Sequence, residues 1–135
     1  MEIKVIQAEG VRFTVEAREH TLVCDQPQGN GGTDRGMTPP ELMLASLGTC
    51  AGFYAAQYLK ARNLADGGVE VRVTAEKLKQ PARLGNFGID VFCPVALTPE
   101  QEQGMTNAVH HCLIHNTLLT PPQIEIKLQM PQRVG

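Results

Sequence analysis

The sequence predicts an α+β fold, with antiparallel strands and two main helices. Three observations carry this. Short runs alternate apolar and polar residues with a period of two, in hairpin-like groups. Two stretches, Thr38-Pro39-Pro40-Glu41 and Thr98-Pro99-Glu100-Gln101, have the N-cap and returning carboxylate or amide of a capping box. No repeat or composition break divides the 135 residues, so a single domain over 1–135 around one core is expected.

Glu2 to Gln7 alternates as a strand. Val11 to Ala17 follows, with Val11, Phe13, Val15 and Ala17 on one face, and Glu9-Gly10 suggests the hairpin turn between them. Thr21 to Cys24 is a short third strand. Gln26 to Gly36 holds four glycines and a proline and reads as a long flexible loop, of a length that often carries function. Helix one starts at the Thr38 cap, takes Pro39 at its first position, and runs to about Arg62 before Asn63. After a turn at Asp66-Gly67-Gly68, Val69, Val71, Val73 and Ala75 alternate with Glu70, Arg72 and Thr74 as a half-buried strand, and Phe87 to Phe92 forms another. Helix two opens at Thr98 with an apolar stripe of Met105, Ala108, Val109, Cys112 and Leu113. Pro121-Pro122 forbids more helix, and Ile124, Ile126 and Leu128 alternate as a final strand.

Composition narrows the function classes. Apolar residues make up 42% and charged residues 19%, a globular balance rather than a disordered one. A net charge of -2 gives no footprint for nucleic acid, and the absence of Trp argues against base-stacking platforms. Met1-Glu-Ile-Lys-Val-Ile lacks the features of a signal peptide, so a cytoplasmic location is expected. Leu42 to Leu59 carries no charge and has Gly48 and Gly52 in a G-x-x-x-G pattern, at the lower edge of a membrane span. Ser46, Thr49 and Gln57 interrupt it. The better reading has no membrane: a helix buried on nearly all sides, with small residues such as Gly48 and Gly52 admitting another helix.

Cys50 lies inside this uncharged run, and Cys112 lies in Val109-His-His-Cys112-Leu-Ile-His115. Two helical thiols can be core packing or a redox couple. As a nucleophile Cys50 would need a lowered pKa. It lies roughly 18 Å from the N-cap of helix one at 1.5 Å per residue, so that helix start cannot supply it and a cation is expected instead. Cys24 and Cys93 read as incidental, and Glu41 as the reciprocal cap of Thr38. His110, His111 and His115 do not form an H-E-x-x-H pattern, and no C-x-x-C accompanies them, so no metal is expected. The glycines of 26–36 match no nucleotide-binding loop.

The stretch Gly36-Met-Thr-Pro-Pro-Glu-Leu-Met-Leu-Ala-Ser-Leu-Gly-Thr-Cys50 resembles the signature of the OsmC/Ohr family, the osmotically inducible and organic hydroperoxide resistance proteins. His111-Cys112-Leu-Ile-His-Asn-Thr117 is similar to that family's second cysteine motif. The resemblance implies an OsmC-like fold, with antiparallel sheet wrapped around two main helices in an intertwined homodimer. It implies reduction of organic hydroperoxides, with Cys50 as peroxidatic and Cys112 as resolving thiol, no cofactor and an external dithiol reductant. It also puts Glu41 among the site residues. The pattern departs at two places: the family's glutamate spacing falls on Pro40, and its activating arginine has only Arg12 and Arg35 as candidates. The alternative is a non-catalytic dimer of this fold that binds a small hydrophobic ligand. Glu41 and Cys50 are nine residues apart on one helix, so Glu41 reaches Cys50 only if the helix breaks near Gly48 or a partner subunit supplies it.

Overall fold

The computed structural model describes residues 1–132. Strands β1 (Lys4–Glu9), β2 (Arg12–Ala17) and β3 (His20–Cys24) form an antiparallel meander in that order. Val15 stands opposite both Val5 and Leu22, which fixes the register of the three. Gly10 turns the chain between β1 and β2 at φ 58, where a glycine carries no Cβ penalty. Every residue of β1 is exposed, so among the described residues nothing covers this strand, while β2 is half-buried.

The segment after β3 is not the flexible loop its glycines suggest. Asp25, 1% exposed, gathers it from within. Its Oδ1 accepts from the backbone N–H of Gln26 at 2.8 Å. Its Oδ2 accepts from the Thr33 hydroxyl at 2.7 Å and from the N–H groups of Thr33 and Arg35 at 3.3 and 3.1 Å. A short 3-10 turn, Gln28–Asn30, fills the middle, and the Asp25 N–H donates to the Met37 carbonyl at 3.2 Å. A buried carboxylate with four donors orders the chain that enters the first helix.

Helix α1 spans Pro39–Ala61, capped by Thr38 as the sequence indicates. Leu47, Ala51, Ala55, Tyr58 and Leu59 are buried and fall on one stripe. Phe53 is 58% exposed, and Met43 and Ala56 are open as well. One face of α1 is therefore covered in the chain alone, not nearly all of it. The small residues meet a strand rather than another helix: a Cβ on Gly48 would stand 2.9 Å from Val73 Cγ2, and one on Gly52 3.4 Å from Val71 Cγ2.

That strand, β4 (Glu70–Leu78), pairs antiparallel with β5 (Arg83–Phe92). Helix α2 (Pro99–Val109) repeats the capping box with Thr98 and Gln101 and packs on α1. Gly104 permits the approach, because a Cβ there would collide with the Tyr58 ring. Ala55, Tyr58, Leu59 and Met105 form the centre of the core, flanked by Val91, Leu97 and Val109.

The stripe expected to run through Cys112 and Leu113 breaks. The N–H groups of His111 and Cys112 donate three residues back, to Ala108 and Val109 at 3.1 Å each, which tightens the last turn and ends α2. Cys112 then takes a non-helical φ, ψ of -54, 120 and becomes the N-cap of a third helix, α3 (Leu113–Leu119). Past Pro121-Pro122 the expected final strand has no partner among the described residues. Ile124, Ile126 and Leu128 are extended but 82, 86 and 87% exposed. A strand is completed by a neighbour's N–H and C=O groups, and among the described residues none pairs with it. No helix among the described residues is long and apolar enough to cross a membrane.

Candidate active site

The break between α2 and α3 brings the two thiols together. Helix α1 sets Cys50 next to the buried Ala51, half-covered, and the α3 cap sets Cys112 against it at 1% exposure. Both are free thiols. Burial pushes the Cys50 thiol up; the Cys112 thiol, then the backbone N–H groups of Ile114 and Leu113, pull it down, and the net shift is downward. Burial pushes Cys112 up, and its hydrogen bond to Cys50 pushes it further. The His115 N–H, 3.4 Å from Cys112 Sγ, offsets only part of this. Cys50 is thus the more acidic of the two thiols.

This corrects the expectation that no helix start could help Cys50. The start of α1 is three turns away, but the Leu113 and Ile114 N–H groups at the start of α3 are among the influences that lower the Cys50 pKa. The sequence hid this because Cys112 fits the apolar stripe of a continuous helix. Nor is a cation among the groups that lower the Cys50 pKa. Arg12 is engaged at 3.4 Å with Glu9 Oε2 and at 3.5 Å with Thr33 Oγ1. Arg35 is exposed, and its backbone N–H serves Asp25.

Glu41 is part of the α1 cap. Its Oε1 accepts from the Thr38 N–H at 2.9 Å and the Thr38 hydroxyl at 2.8 Å, and its own N–H donates to Thr38 Oγ1 at 3.4 Å. The Thr38 N–H, then its hydroxyl, hold the carboxyl below its usual range. Helix α1 runs unbroken through Gly48, so roughly 13–14 Å of helix rise separates Glu41 from Cys50 of the same chain. Of the predicted site residues, the fold joins Cys50 with Cys112 and leaves Glu41 apart.

Cys24 ends β3, bridged to Met37. Cys93 follows β5, with its sulfur 3.4 Å from that of Met105. Cys93 is not isolated: it shares with Cys112 a cavity of about 480 Å³ walled by Ile89, Val91, Leu97, Met105 and Val109. His110 and His115 reach the same cavity with their rings stacked 5.9 Å apart. His111 turns away, its Nδ1 2.9 Å from the Asn107 carbonyl. Among the described residues no three His, Cys, Asp or Glu side chains gather as metal ligands would.

A family model described as OsmC-like protein matches residues 31–127, which include Cys50, Cys112 and the capped start of α1. The chain belongs to the OsmC-like family. Solved structures have the same fold. An OsmC-like protein from Mycoplasma pneumoniae superposes with a TM-score of 0.70 at 19% identity, over 89% of this chain and 87% of that one. An organic hydroperoxide resistance protein OsmC from Legionella pneumophila, described as a predicted redox protein, gives 0.60 at 15% identity over 87% of each chain. An OsmC-like protein of unknown function from Vibrio cholerae gives 0.62 at 12% identity, over 86% of this chain and 91% of that one. No curated protein matches the sequence. At these identities the structures establish the OsmC-like α+β fold and leave the chemistry to the site itself.

Proposed function

We propose that this OsmC-like protein reduces organic hydroperoxides with Cys50 as the attacking and Cys112 as the resolving thiol. The observation that carries the reading is the free thiol pair at the start of α3, where buried Cys112 caps the helix beside Cys50; their pKa shifts, Cys50 downward and Cys112 upward, fit the same roles. The Cys50 thiolate attacks the terminal peroxide oxygen, the O–O bond breaks, and the organic oxygen leaves as the alcohol after taking a proton. The resulting sulfenic acid condenses with the Cys112 sulfur, which loses its proton; the S–S bond forms and water leaves. An external dithiol returns both thiols. Cys50→Ser should abolish hydroperoxide consumption, read as loss of cumene hydroperoxide in the presence of a dithiol. Full turnover in that variant would refute the assignment and favour a dimer that only binds a small hydrophobic molecule.

The working unit in this reading is a homodimer. The exposed β1–β3 sheet, the open faces of α1 and the unpaired 124–128 segment all lack a covering layer in one chain. A second copy supplies both an apolar face and strand edges. It is also the one way for Glu41 to reach a Cys50, since the intrachain route is closed. Sedimentation at low micromolar concentration should give twice the chain mass, and a folded, active monomer there would contradict this.

A further inference from the structure

We infer that the Tyr54 hydroxyl donates the proton that the organic oxygen takes as it leaves the hydroperoxide, which makes Tyr54 a further catalytic residue. The inference rests on the proposed peroxidase reading and names the proton source that the reading leaves open. Attack on a peroxide places negative charge on the departing oxygen, and a donor aimed at that charge speeds the step. Arg12 is held by Glu9 and Thr33, and Glu41 by Thr38, so neither is placed for this within one chain.

Cys50 and Tyr54 both belong to α1, four residues apart. They are neighbours on one face, with Cβ atoms about 5–6 Å apart. Helical side chains lean toward the N-terminus of their helix, which directs the Tyr54 ring over the turn that holds Cys50. The Phe53 ring meets the Tyr54 ring edge-on, with centroids 5.2 Å apart and planes at 82°, and steadies it. Tyr54 is half-buried and lines an open depression of about 540 Å³, whose other walls include His111, Leu113 and Pro122. Leu113 joins this depression to the thiol: its side chain, 64% exposed, is an apolar wall, and its N–H is among the groups acting on Cys50. Tyr54 therefore stands between the thiol and a recess with room for an organic substituent. His111 is the rival donor in the recess, but its ring is tied at Nδ1 to the Asn107 carbonyl.

The step balances. The Cys50 thiolate bonds to the terminal oxygen, the O–O bond breaks, and its electron pair goes to the organic oxygen. Tyr54 passes its proton to that oxygen, the alcohol leaves, and the phenolate takes a proton back from water. The sulfur is oxidised to a sulfenic acid as the peroxide is reduced. A peracid needs no such donor, because it expels a carboxylate that is stable without a proton.

The test uses that difference in leaving group. Reduced wild type, Tyr54→Phe and His111→Gln are mixed with cumene hydroperoxide, tert-butyl hydroperoxide or peracetic acid, and loss of the Cys50 thiol is followed by quenching, alkylation and mass measurement. Tyr54→Phe should slow both alkyl hydroperoxides by about tenfold or more, the scale of a lost proton donor, and leave peracetic acid within about twofold. Its rate of Cys50 alkylation by iodoacetamide should match wild type, which shows that the thiol itself is unchanged. His111→Gln should match wild type with all three oxidants. Wild type alone gives a second measure, should the Phe variant misfold. Across the three oxidants its rates should depend less steeply on leaving-group acidity than those of free cysteine, because a donor relieves the charge. Equal slowing of peracid and alkyl hydroperoxides, no slowing in Tyr54→Phe, the selective loss in His111→Gln instead, or a wild-type slope equal to that of free cysteine would overturn the assignment and leave the peroxidase reading standing. Wild type no faster than free cysteine with either alkyl hydroperoxide would remove that reading and the assignment together.

Discussion

Helices α1 and α3 start with the same geometry and opposite purposes. In each, the N-cap side chain accepts from the backbone N–H three residues on, at 3.4 Å: Thr38 Oγ1 from Glu41 and Cys112 Sγ from His115. At α1 the box closes, because Glu41 returns two hydrogen bonds to Thr38. At α3 there is no returning side chain, and the Leu113 and Ile114 N–H groups help lower the pKa of a thiol on another helix. A closed cap spends its donors on local stability. An open one leaves them free to act on a neighbouring thiol.

Substitution at Cys112 should separate the two purposes, with the largest effects. Serine is a stronger N-cap than most residues, so Cys112→Ser should keep α3 and still donate to Cys50, yet it cannot form the disulfide. Cys112→Ala loses both, at about 1 kcal/mol of stability for the cap. In both variants, dithiol-dependent turnover of cumene hydroperoxide should collapse, with one equivalent of sulfenic acid trapped on Cys50 by dimedone. The pH profile of Cys50 alkylation distinguishes them. Wild-type Cys50 is held below the ordinary thiol value, so its reactivity persists at lower pH. Loss of the Cys112 donor in the alanine variant should move the profile upward and slow alkylation at neutral pH. An unmoved profile in Cys112→Ala would mean the cap plays no part in activating Cys50.

The same contrast explains what could be read in the sequence. Thr38–Glu41 and Thr98–Gln101 were legible because oxygen caps have a local pattern. The β1–β2 and β4–β5 hairpins were legible from alternation, although β5 begins at Arg83, before its alternation is evident. The α3 start was not, since cysteine is a rare cap and Cys112 also satisfies the apolar period that continues α2. The ordering of 25–37 was hidden for a related reason: its glycines are local, but Asp25 binds residues eight and ten positions away. The alternation at Ile124 to Leu128 forms no strand, because it finds no strand partner among the described residues. The thiol pair was named from sequence; its meeting at the start of α3 depends on a break that the residues do not announce.

Asp25→Asn probes a second closed cluster, and its effect should be smaller and confined to stability. The Thr33 hydroxyl is the strongest influence holding the carboxyl at about 2, with the N–H groups of Gln26, Arg35 and Thr33 assisting against burial. A depressed carboxyl pKa stabilises the fold above the unfolded value of 3.8 and loses that contribution as pH falls toward 2. Wild type should therefore lose more stability than Asp25→Asn between pH 4 and 2, as read by thermal melts across that window. Asparagine keeps one acceptor oxygen and loses the other, so the variant should already melt lower at pH 7. Parallel curves through acid would show that Asp25 does not titrate in the folded state as its four donors require.

The smallest effect should come from Glu41→Gln, and it is the most discriminating at α1. Helix α2 shows that glutamine suits this box in this protein: Gln101 Oε1 accepts from the Thr98 N–H at 3.0 Å. The substitution keeps the hydrogen-bonding shape of the cap and removes only the charge. The charge contributes through the helix dipole, so the melting temperature should fall slightly. If Glu41 serves the cap alone, Cys50 oxidation by cumene hydroperoxide should stay within about twofold of wild type, because the thiol's three donors are untouched. That is the expected outcome, since Thr38 already engages the carboxylate. A tenfold slower oxidation with an unchanged melt would instead give Glu41 a second task. The unbroken α1 allows that task at one place only, the Cys50 of a partner subunit. The capping carboxylate would then belong to both halves of the comparison, closing one helix start and reaching the thiol held by another.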